Sequence, residues 1–401
     1  MKKIAFVAPW FDDHIPGGAE MELREVSTHL HKAGVPVEIL TTCVREFSAD
    51  WSVNFHKAGS STLESGIPIH RFPVRKRDTA AFDAINAKLI GKQPITLEEE
   101  DIFLREMVNS PALYDHIRSH REEYAVFVFI PYLFGTTYYG VQAAPEQAVL
   151  IPCFHDEGYA YFQRFREVFR QAAGMVYNAA PEMELAERLY GFSDTNVRQI
   201  LMGIGMDTGI SGDAARFRQK YGLEQPFLLY AGRKDVGKNV PLLLQYFSEY
   251  KKRQPSDLQL VLIGGGKLDI PEDIRDAVHD LGFVDAQDKY DACAAAVCLC
   301  QPSRNESFSL VIMESWLCGR PVLVHDACAV TKNFAQESNG GLYFADFFEF
   351  EGCVNYLLEH PEIAGIMGKN GCGYVKSQFD WDIITKKYLA FFAEIAGEVQ
   401  A

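Results

Sequence analysis

Glu306 and Glu314 stand with seven residues between them, inside the stretch CQPSRNESFSLVIMESWLCGRPVL at 300–323. The run 294–300 is apolar and reads as a buried strand. The chain then turns through Pro302, Ser303, Arg304 and Asn305, and a helix follows over about 309–318, stopped by Gly319 and Pro321. Glu306 falls on the turn and Glu314 about a turn and a half into the helix. Both carboxylates can therefore face a ligand seated over the strand end and the helix N-terminus. Free N–H groups and the helix dipole favour phosphate there, so the chemistry in prospect is that of a phosphorylated ligand. A plainer reading also fits. Ser303 and Glu306 spell the S-x-x-E of a capping box, and Glu314 can be a solvated helix residue.

Two other places invite chemistry. Gly17 and Gly18, in PGGAE, leave backbone N–H groups unobstructed before a helix, which makes either an anion seat or an ordinary tight turn. His155 follows the apolar run 148–153, so a strand delivers it toward the crevice at its carboxyl end; a satisfied structural histidine is the alternative. His116 and His120 lie four apart with no further ligand set around them, and a solvated helix face is expected. Asp380, Trp381 and Asp382 have the D-x-D spacing of a metal-binding pair. They open a helix, however, where an aspartate serves as an N-cap. No metal is expected.

These residues need elements to hold them. The run 3–9 reads as a buried parallel strand, 19–33 as a helix closed by Gly34, and 35–41 as the next strand. This β-loop-α-β opening is Rossmann-like but lacks G-x-G-x-x-G. Residues 45–115 are less regular, with a hairpin and a helical excursion. Strands follow at 124–131, 148–153, 175–178 and 199–202, with helices at 135–143, 162–172 and 181–190. The turn-rich GIGMD at 203–207 reads as a linker. The pattern then restarts: strands at 226–231, 258–263, 282–284 and 321–325, with helices at 240–253, 274–281 and 286–296. A last helix, within 381–401, carries Ile384, Tyr388, Leu389 and Phe392 on one face and is expected to return to the first domain. The fold class is α/β, with two Rossmann-like domains whose parallel sheets face each other across a cleft, a favoured ligand position. The expected domains are 1–205, joined by 381–401, and 206–380.

Composition narrows the function. The chain has 401 residues and a formal net charge of −15. Both halves are acidic, which excludes a nucleic-acid partner. The exception is His70, Arg71, Arg75, Lys76 and Arg77. That cluster can receive a phosphorylated or membrane-borne acceptor, although a solvated loop is the expected reading. Nine cysteines without a C-x-x-C pair suggest reduced thiols and a cytoplasmic protein, either free or peripheral at the inner face of the membrane. No apolar run is long enough to span a bilayer.

Several segments in order carry a family likeness: AGRKDVGKN at 231–239, LVLIGGG at 260–266, LGFVD at 281–285, QPSRNESFSLVIMESWLCGRPVL at 301–323, and GLYF at 341–344. With PGGAE, the His155 strand end and GIGMD, the chain resembles the retaining nucleotide-sugar glycosyltransferases of family 4, which have the GT-B fold. The resemblance implies roles. Glu306 would contact donor-sugar hydroxyls near the reacting carbon and His155 would lie by the transferred sugar, the two forming the catalytic pair. Glu314 would take the ribose hydroxyls, and Arg233 and Lys238 the diphosphate. Gly17 and Gly18 would lie beside the diphosphate and acceptor, Phe283 and Val284 by the base. Phe308, Ser309 and Leu310 would complete the donor site at the helix start. The first domain would bind the acceptor and the second the donor. Ser309 stands where the family often has glycine. Ile204 replaces an asparagine, and Trp316, Leu317 and Cys318 replace smaller residues.

The expected reaction moves a sugar from a nucleotide-diphosphate sugar to an acceptor hydroxyl on a glycan, a lipid-linked or a small-molecule acceptor, without a cofactor. Negative charge develops on the leaving phosphate, and a preorganised Arg233, Lys238 and helix N-terminus would stabilise it most in the transition state. Two other readings use the same site: a regulatory protein that only binds a nucleotide sugar, and a GT-B epimerase or phosphorylase.

Overall fold

The computed structural model describes residues 2–15 and 17–397. Pro16 of PGGAE and residues 398–401 of the expected last helix lie outside them. The chain forms two compact units, residues 1–205 with 382–401, and residues 206–381.

The first unit contains β1 (Lys3–Ala8), α1 (Gly18–Lys32), β2 (Val37–Thr42), β3 (Gly59–Thr62), β4 (Pro68–Phe72), α2 (Thr79–Ile90), α3 (Leu97–Glu106), α4 (Pro111–His120), β5 (Tyr124–Phe129), α5 (Gly135–Ala143), β6 (Ala148–Leu150), α6 (Gln163–Phe169), β7 (Gly174–Tyr177), α7 (Ala180–Tyr190) and β8 (Arg198–Leu201). Its sheet runs β3-β4-β2-β1-β5-β6-β7-β8. All neighbours are parallel except the β3–β4 hairpin. Ala5, Phe6 and Val7 in β1 and Val126–Phe129 in β5 are fully buried. Such unbroken apolar runs are what a sheet covered on both faces requires.

The second unit contains α8 (Ala214–Tyr221), β9 (Phe227–Ala231), α9 (Val240–Arg253), β10 (Gln259–Ile263), β11 (Val278–Gly282), α10 (Ala286–Ala295), β12 (Cys298–Gln301), α11 (Leu310–Leu317), β13 (Val322–His325), α12 (Ala329–Ser338), β14 (Gly341–Phe344), α13 (Phe347–Glu359) and α14 (Pro361–Gln378). Its sheet is wholly parallel, in the order β11-β10-β9-β12-β13-β14. The last helix, α15 (Trp381–Ile395), belongs to the first unit from residue 382 onward. There Phe391 and Ile395 pack on Gly174 of β7.

Three expectations change. Residues 274–281 are not a helix: a short 3-10 turn over Glu272–Ala277 leads directly into β11, which also replaces the strand expected at 282–284. Ile274, Val278 and Leu281 have helical spacing, but the run is too short to outweigh pairing of Leu260–Ile263 with Val278–Gly282. His116 and His120 are not a solvated face. Their rings stack at 4.1 Å, His70 lies 5.9 Å from His116, and burial pushes the His116 pKa down to about 4. Nor is the basic cluster a solvated loop. Arg71 binds Asp12 and the Phe11 carbonyl, Arg75 binds Glu106, and Arg77 lies over the rings of Trp51 and Phe82.

Candidate donor site and acceptor-side loops

In the second unit the strand order reverses between β9 and β12. Ligands in open α/β sheets bind at the carboxyl ends of strands at such a point. Three loops are tied together there. The Gly232 N–H donates to the Ile263 carbonyl at 2.9 Å, Lys234 N–H to Gly265 at 2.7 Å and Gly264 N–H to Gly282 at 2.7 Å. Gly264 has φ 119°, and a Cβ there would lie 2.1 Å from the Gly232 oxygen, so only glycine lets the loops approach. Lys234 is buried and ion-paired to Asp280, which commits its charge to holding this loop.

Lys238 and Glu306 meet. The ammonium lies 2.7 Å from Glu306 Oε1, and Gln301 Nε2 donates to the same oxygen at 3.3 Å. Asn239 holds the two loops in register, its amide donating to the Pro302 carbonyl at 3.0 Å. Arg233 lies further out, with its side chain 68% exposed and Nε 2.5 Å from Asp235. Glu314 does not join this group. It is buried within α11 and pairs with Lys289 of α10 at 2.6 Å. Burial pushes its pKa up and Lys289 pulls it back.

The capping-box reading of Ser303 and Glu306 fails, because α11 begins at Leu310 and its N-cap is Ser309. Ser309 has φ 79°, a left-handed conformation that glycine adopts with least strain. The backbone here is thus the one a glycine would favour, although the residue is serine. Ser303 Oγ, Gln301 Oε1 and Glu314 Oε2 are buried without a hydrogen-bond partner. Each such atom costs about 1–3 kcal/mol unless something binds it. Leu310 is half-buried at the helix start. Phe308 is 1% exposed, its ring packed on Phe334 and Phe379, so only its backbone can face a ligand. Phe283 is 86% exposed with its ring against Gly265, and Val284 is half-buried beside it.

In the first unit, Gly17 (φ 148°) and Gly18 open α1. The carboxylate of Glu20 lies against Gly17, where a Cβ would meet Oε2 at 1.9 Å, and Oε1 accepts the Trp10 indole N–H at 2.6 Å. The helix N-terminus expected to seat an anion therefore already has a carboxylate of the chain beside it. His155 sits on the loop after β6, its side chain one-third exposed and Nδ1 3.8 Å from Glu157 Oε1. Asp380 accepts from Thr208 Oγ1 at 2.5 Å and occupies the position before α15, while Asp382 lies in the helix's first turn. Among the described residues no group of histidine, cysteine and carboxylate side chains could hold a metal ion.

Lys289, Gln301 and Asn239 are site residues that sequence reasoning misses. Asn239 before Val-Pro carries the signal of a helix start. Lys289 carries none, since a lysine on a helix of mixed charge looks like any surface lysine.

A sequence-family profile described as Glycosyl transferases group 1 matches residues 225–360. D-inositol 3-phosphate glycosyltransferase of Gordonia bronchialis is 24% identical over 392 residues, covering 91% of this chain and 81% of the relative. Sucrose-phosphate synthase from Thermosynechococcus elongatus superposes with TM-score 0.71 at 17% identity, over 99% of this chain and 100% of that one. HepE of Anabaena, solved in complex with UDP-glucose, superposes with TM-score 0.66 at 16% identity, over 98% and 100%. No helix among the described residues is long and apolar enough to cross a membrane. The two α/β units, the ordered motifs and these likenesses identify the chain as a retaining GT-B glycosyltransferase that carries a Glycosyl transferases group 1 domain.

Proposed function

We propose that the second unit binds the nucleotide-sugar donor and the first the acceptor. The Lys238–Glu306 pair at the β9/β12 crossover carries this reading. On donor binding, Lys238 transfers its ammonium from Glu306 to the diphosphate, with Arg233 beside it. Glu306, released, accepts hydrogen bonds from the sugar. Glu314 Oε2, buried and unpartnered, takes a ribose hydroxyl while Lys289 holds the other oxygen. Phe283 and Val284 flank the base, and the backbone of Phe308, Ser309 and Leu310 meets the phosphate at the α11 N-terminus. Gly17 and Gly18 lie beside the diphosphate and the acceptor, and His155 lies by the transferred sugar.

Chemistry follows from that arrangement. Charge gathers on the leaving phosphate as the glycosidic bond breaks. Lys238, Arg233 and the helix N-terminus stabilise it without reorganising. The acceptor hydroxyl attacks from the leaving group's face and its proton passes to the phosphate, so no protein nucleophile is required.

HepE bound to UDP-glucose supports a uridine diphosphate sugar as the first donor to try. The acceptor is a hydroxyl of a polyol or glycan in glycoconjugate synthesis, a class to which the inositol-phosphate relative points. Thermal shift against UDP-, GDP- and ADP-sugars tests the donor, since a native-state ligand at 100 times its Kd adds about 2.7 kcal/mol of stability. UDP-glucose is expected to raise Tm, and no shift with any nucleotide sugar would refute the donor site. Peripheral membrane contact would require the basic cluster, whose arginines are engaged within the chain. Sedimentation with anionic vesicles is expected to leave the protein in the supernatant.

A further inference from the structure

The first unit contains a buried polar network that the reaction above does not use. Its centre is Glu182 of α7, 1% exposed. One carboxylate oxygen accepts the Phe154 N–H at 2.7 Å and the other accepts the Asn178 N–H at 2.7 Å. A single side chain thus ties together the turns after β6 and β7. Phe154 immediately precedes His155. On the far side of His155, Glu157 is anchored as well: its N–H donates to the His155 carbonyl at 2.9 Å, and its carboxylate accepts from Tyr132 Oη at 2.9 Å. The histidine therefore stands on a short loop pinned at both flanks.

Glu22 of α1, also 1% exposed, lies next to this clamp. Its Oε2 accepts from Asn178 Nδ2 at 2.9 Å and from the Cys153 thiol at 3.6 Å. Glu22 Oε1 and Asn178 Oδ1 are both buried without partners. Two orphan acceptors on one bonded pair of residues become compatible when the carboxyl carries a proton, because an acid O–H can donate to an amide oxygen. The two oxygens of Glu182, by contrast, each already receive a full backbone N–H. Burial pushes the pKa of both carboxyls up to about 8, and the backbone N–H bonds pull that of Glu182 back; the hydrogen-bond geometry favours the proton on Glu22 and the negative charge on Glu182.

We propose that Glu182 is a positioning residue for glycosyl transfer, its two carboxyl oxygens, each held by a backbone N–H, setting the height and direction of the loop that presents His155. The inference rests on the reading of His155 as a residue beside the transferred sugar. Burying a charge is costly, and two backbone N–H bonds aimed at one carboxylate are the compensation. A neutral side chain of the same shape could not keep both. A glutamine in this place would turn its amide nitrogen toward one of the two N–H groups and release that turn.

The test compares Glu182→Gln, Glu182→Asp and His155→Ala with the unaltered enzyme in steady-state transfer and in nucleotide diphosphate binding. Glu182→Gln is expected to lower kcat by roughly tenfold to a hundredfold, the range of a misplaced catalytic group, with the donor KM and the nucleotide diphosphate Kd within twofold. Glu182→Asp, which keeps the charge but shortens the reach, is expected to fall between. The rate of Cys153 alkylation, followed by peptide mass, should rise in Glu182→Gln because the loop loosens. A lowered Tm with kcat within twofold would overturn the proposal and leave Glu182 a purely structural residue. If Glu182→Gln does not fold, Glu182→Asp decides by the same criterion. Normal turnover in His155→Ala would instead remove the underlying reading of His155, whatever Glu182 does.

Discussion

Lys238 and Glu306 illustrate how one contact carries two roles. In the structure they neutralise each other at 2.7 Å. In the proposed donor site a diphosphate would have to win the ammonium from the carboxylate. Lys238→Ala is therefore expected to weaken nucleotide diphosphate binding by the worth of a charge-assisted hydrogen bond, about 1.5–3 kcal/mol, or roughly tenfold to a hundredfold. Glu306→Gln removes the competitor, so the same nucleotide should bind equally well or slightly tighter, while kcat falls sharply because the sugar loses its anchor. Calorimetry and steady-state rates check both, and equal losses of affinity in the two variants would sink the assignment. The same logic bears on metals. In the proposed site Arg233 and Lys238 would supply positive charge where a divalent ion would otherwise be needed, and Asp380 is engaged by Thr208. Transfer is expected to continue in excess EDTA. Loss of turnover with EDTA, restored by Mn²⁺ and reproduced by Asp380→Asn with Asp382→Asn, would overturn the leaving-group mechanism.

Helix α11 shows what a sequence can and cannot disclose about an element. Its place after a buried strand is legible, because 294–300 is apolar and Gly319 and Pro321 end the helix. The capping residue is not. Ser303 and Glu306 mimic a capping box even though the pattern starts the helix at about 309, and the turn geometry decides between the two, with Ser309 at the N-cap and φ 79°. Strand β11 escapes for a related reason: Ile274, Val278 and Leu281 satisfy a helical period, and the pairing with β10 that decides the matter is non-local. Trp316 is the third case. In the sequence a large residue on α11 is a departure from the family pattern, yet its indole faces away, 0% exposed, with Nε1 donating to the Gly340 carbonyl at 2.8 Å. The space comes from α14, where a Cβ on Gly371 would lie 2.2 Å from the Trp316 ring. Gly371→Ala is therefore expected to destabilise the protein by about 1–3 kcal/mol, the usual cost of overpacking, even though alanine favours the helix by about 1 kcal/mol. Thermal melts of Gly371→Ala alone and with Trp316→Phe check this; the second change should recover part of the loss.

At the scale of the whole molecule, buried charge and chain crossings matter. Burial pushes the Glu22 pKa up to about 8 from 4.5. The folded state then holds a proton that the unfolded chain releases between those values, so this group erodes stability as pH rises from about 4.5 toward 8, at no more than about 1.4 kcal/mol per unit. Around it lie Asn178, Cys153, Glu182 and Tyr388, none of them cationic. Glu22→Gln keeps the shape and discards the titration. Its Tm should exceed that of the parent above pH 7 and converge with it near pH 5, and a constant offset across that range would refute the assignment. The chain also passes between its two units twice, at 205–206 and 381–382. Both passages lie next to one backbone contact, in which the Met206 N–H donates to the Phe379 carbonyl at 2.6 Å and Met206 bridges Asp380. Gly203 and Gly205 lie beside the first crossing and can absorb a change of backbone direction. On the proposed reading, with the donor on the second unit and the acceptor on the first, donor binding is expected to draw the units together. Small-angle scattering is therefore expected to show a smaller radius of gyration with nucleotide sugar than without it. Gly205→Pro, which stiffens one crossing, should reduce that change and lower kcat while leaving nucleotide diphosphate affinity near that of the parent. An unchanged radius with saturating donor would mean that the units do not close on the donor alone, and that the acceptor or nothing at all drives their approach.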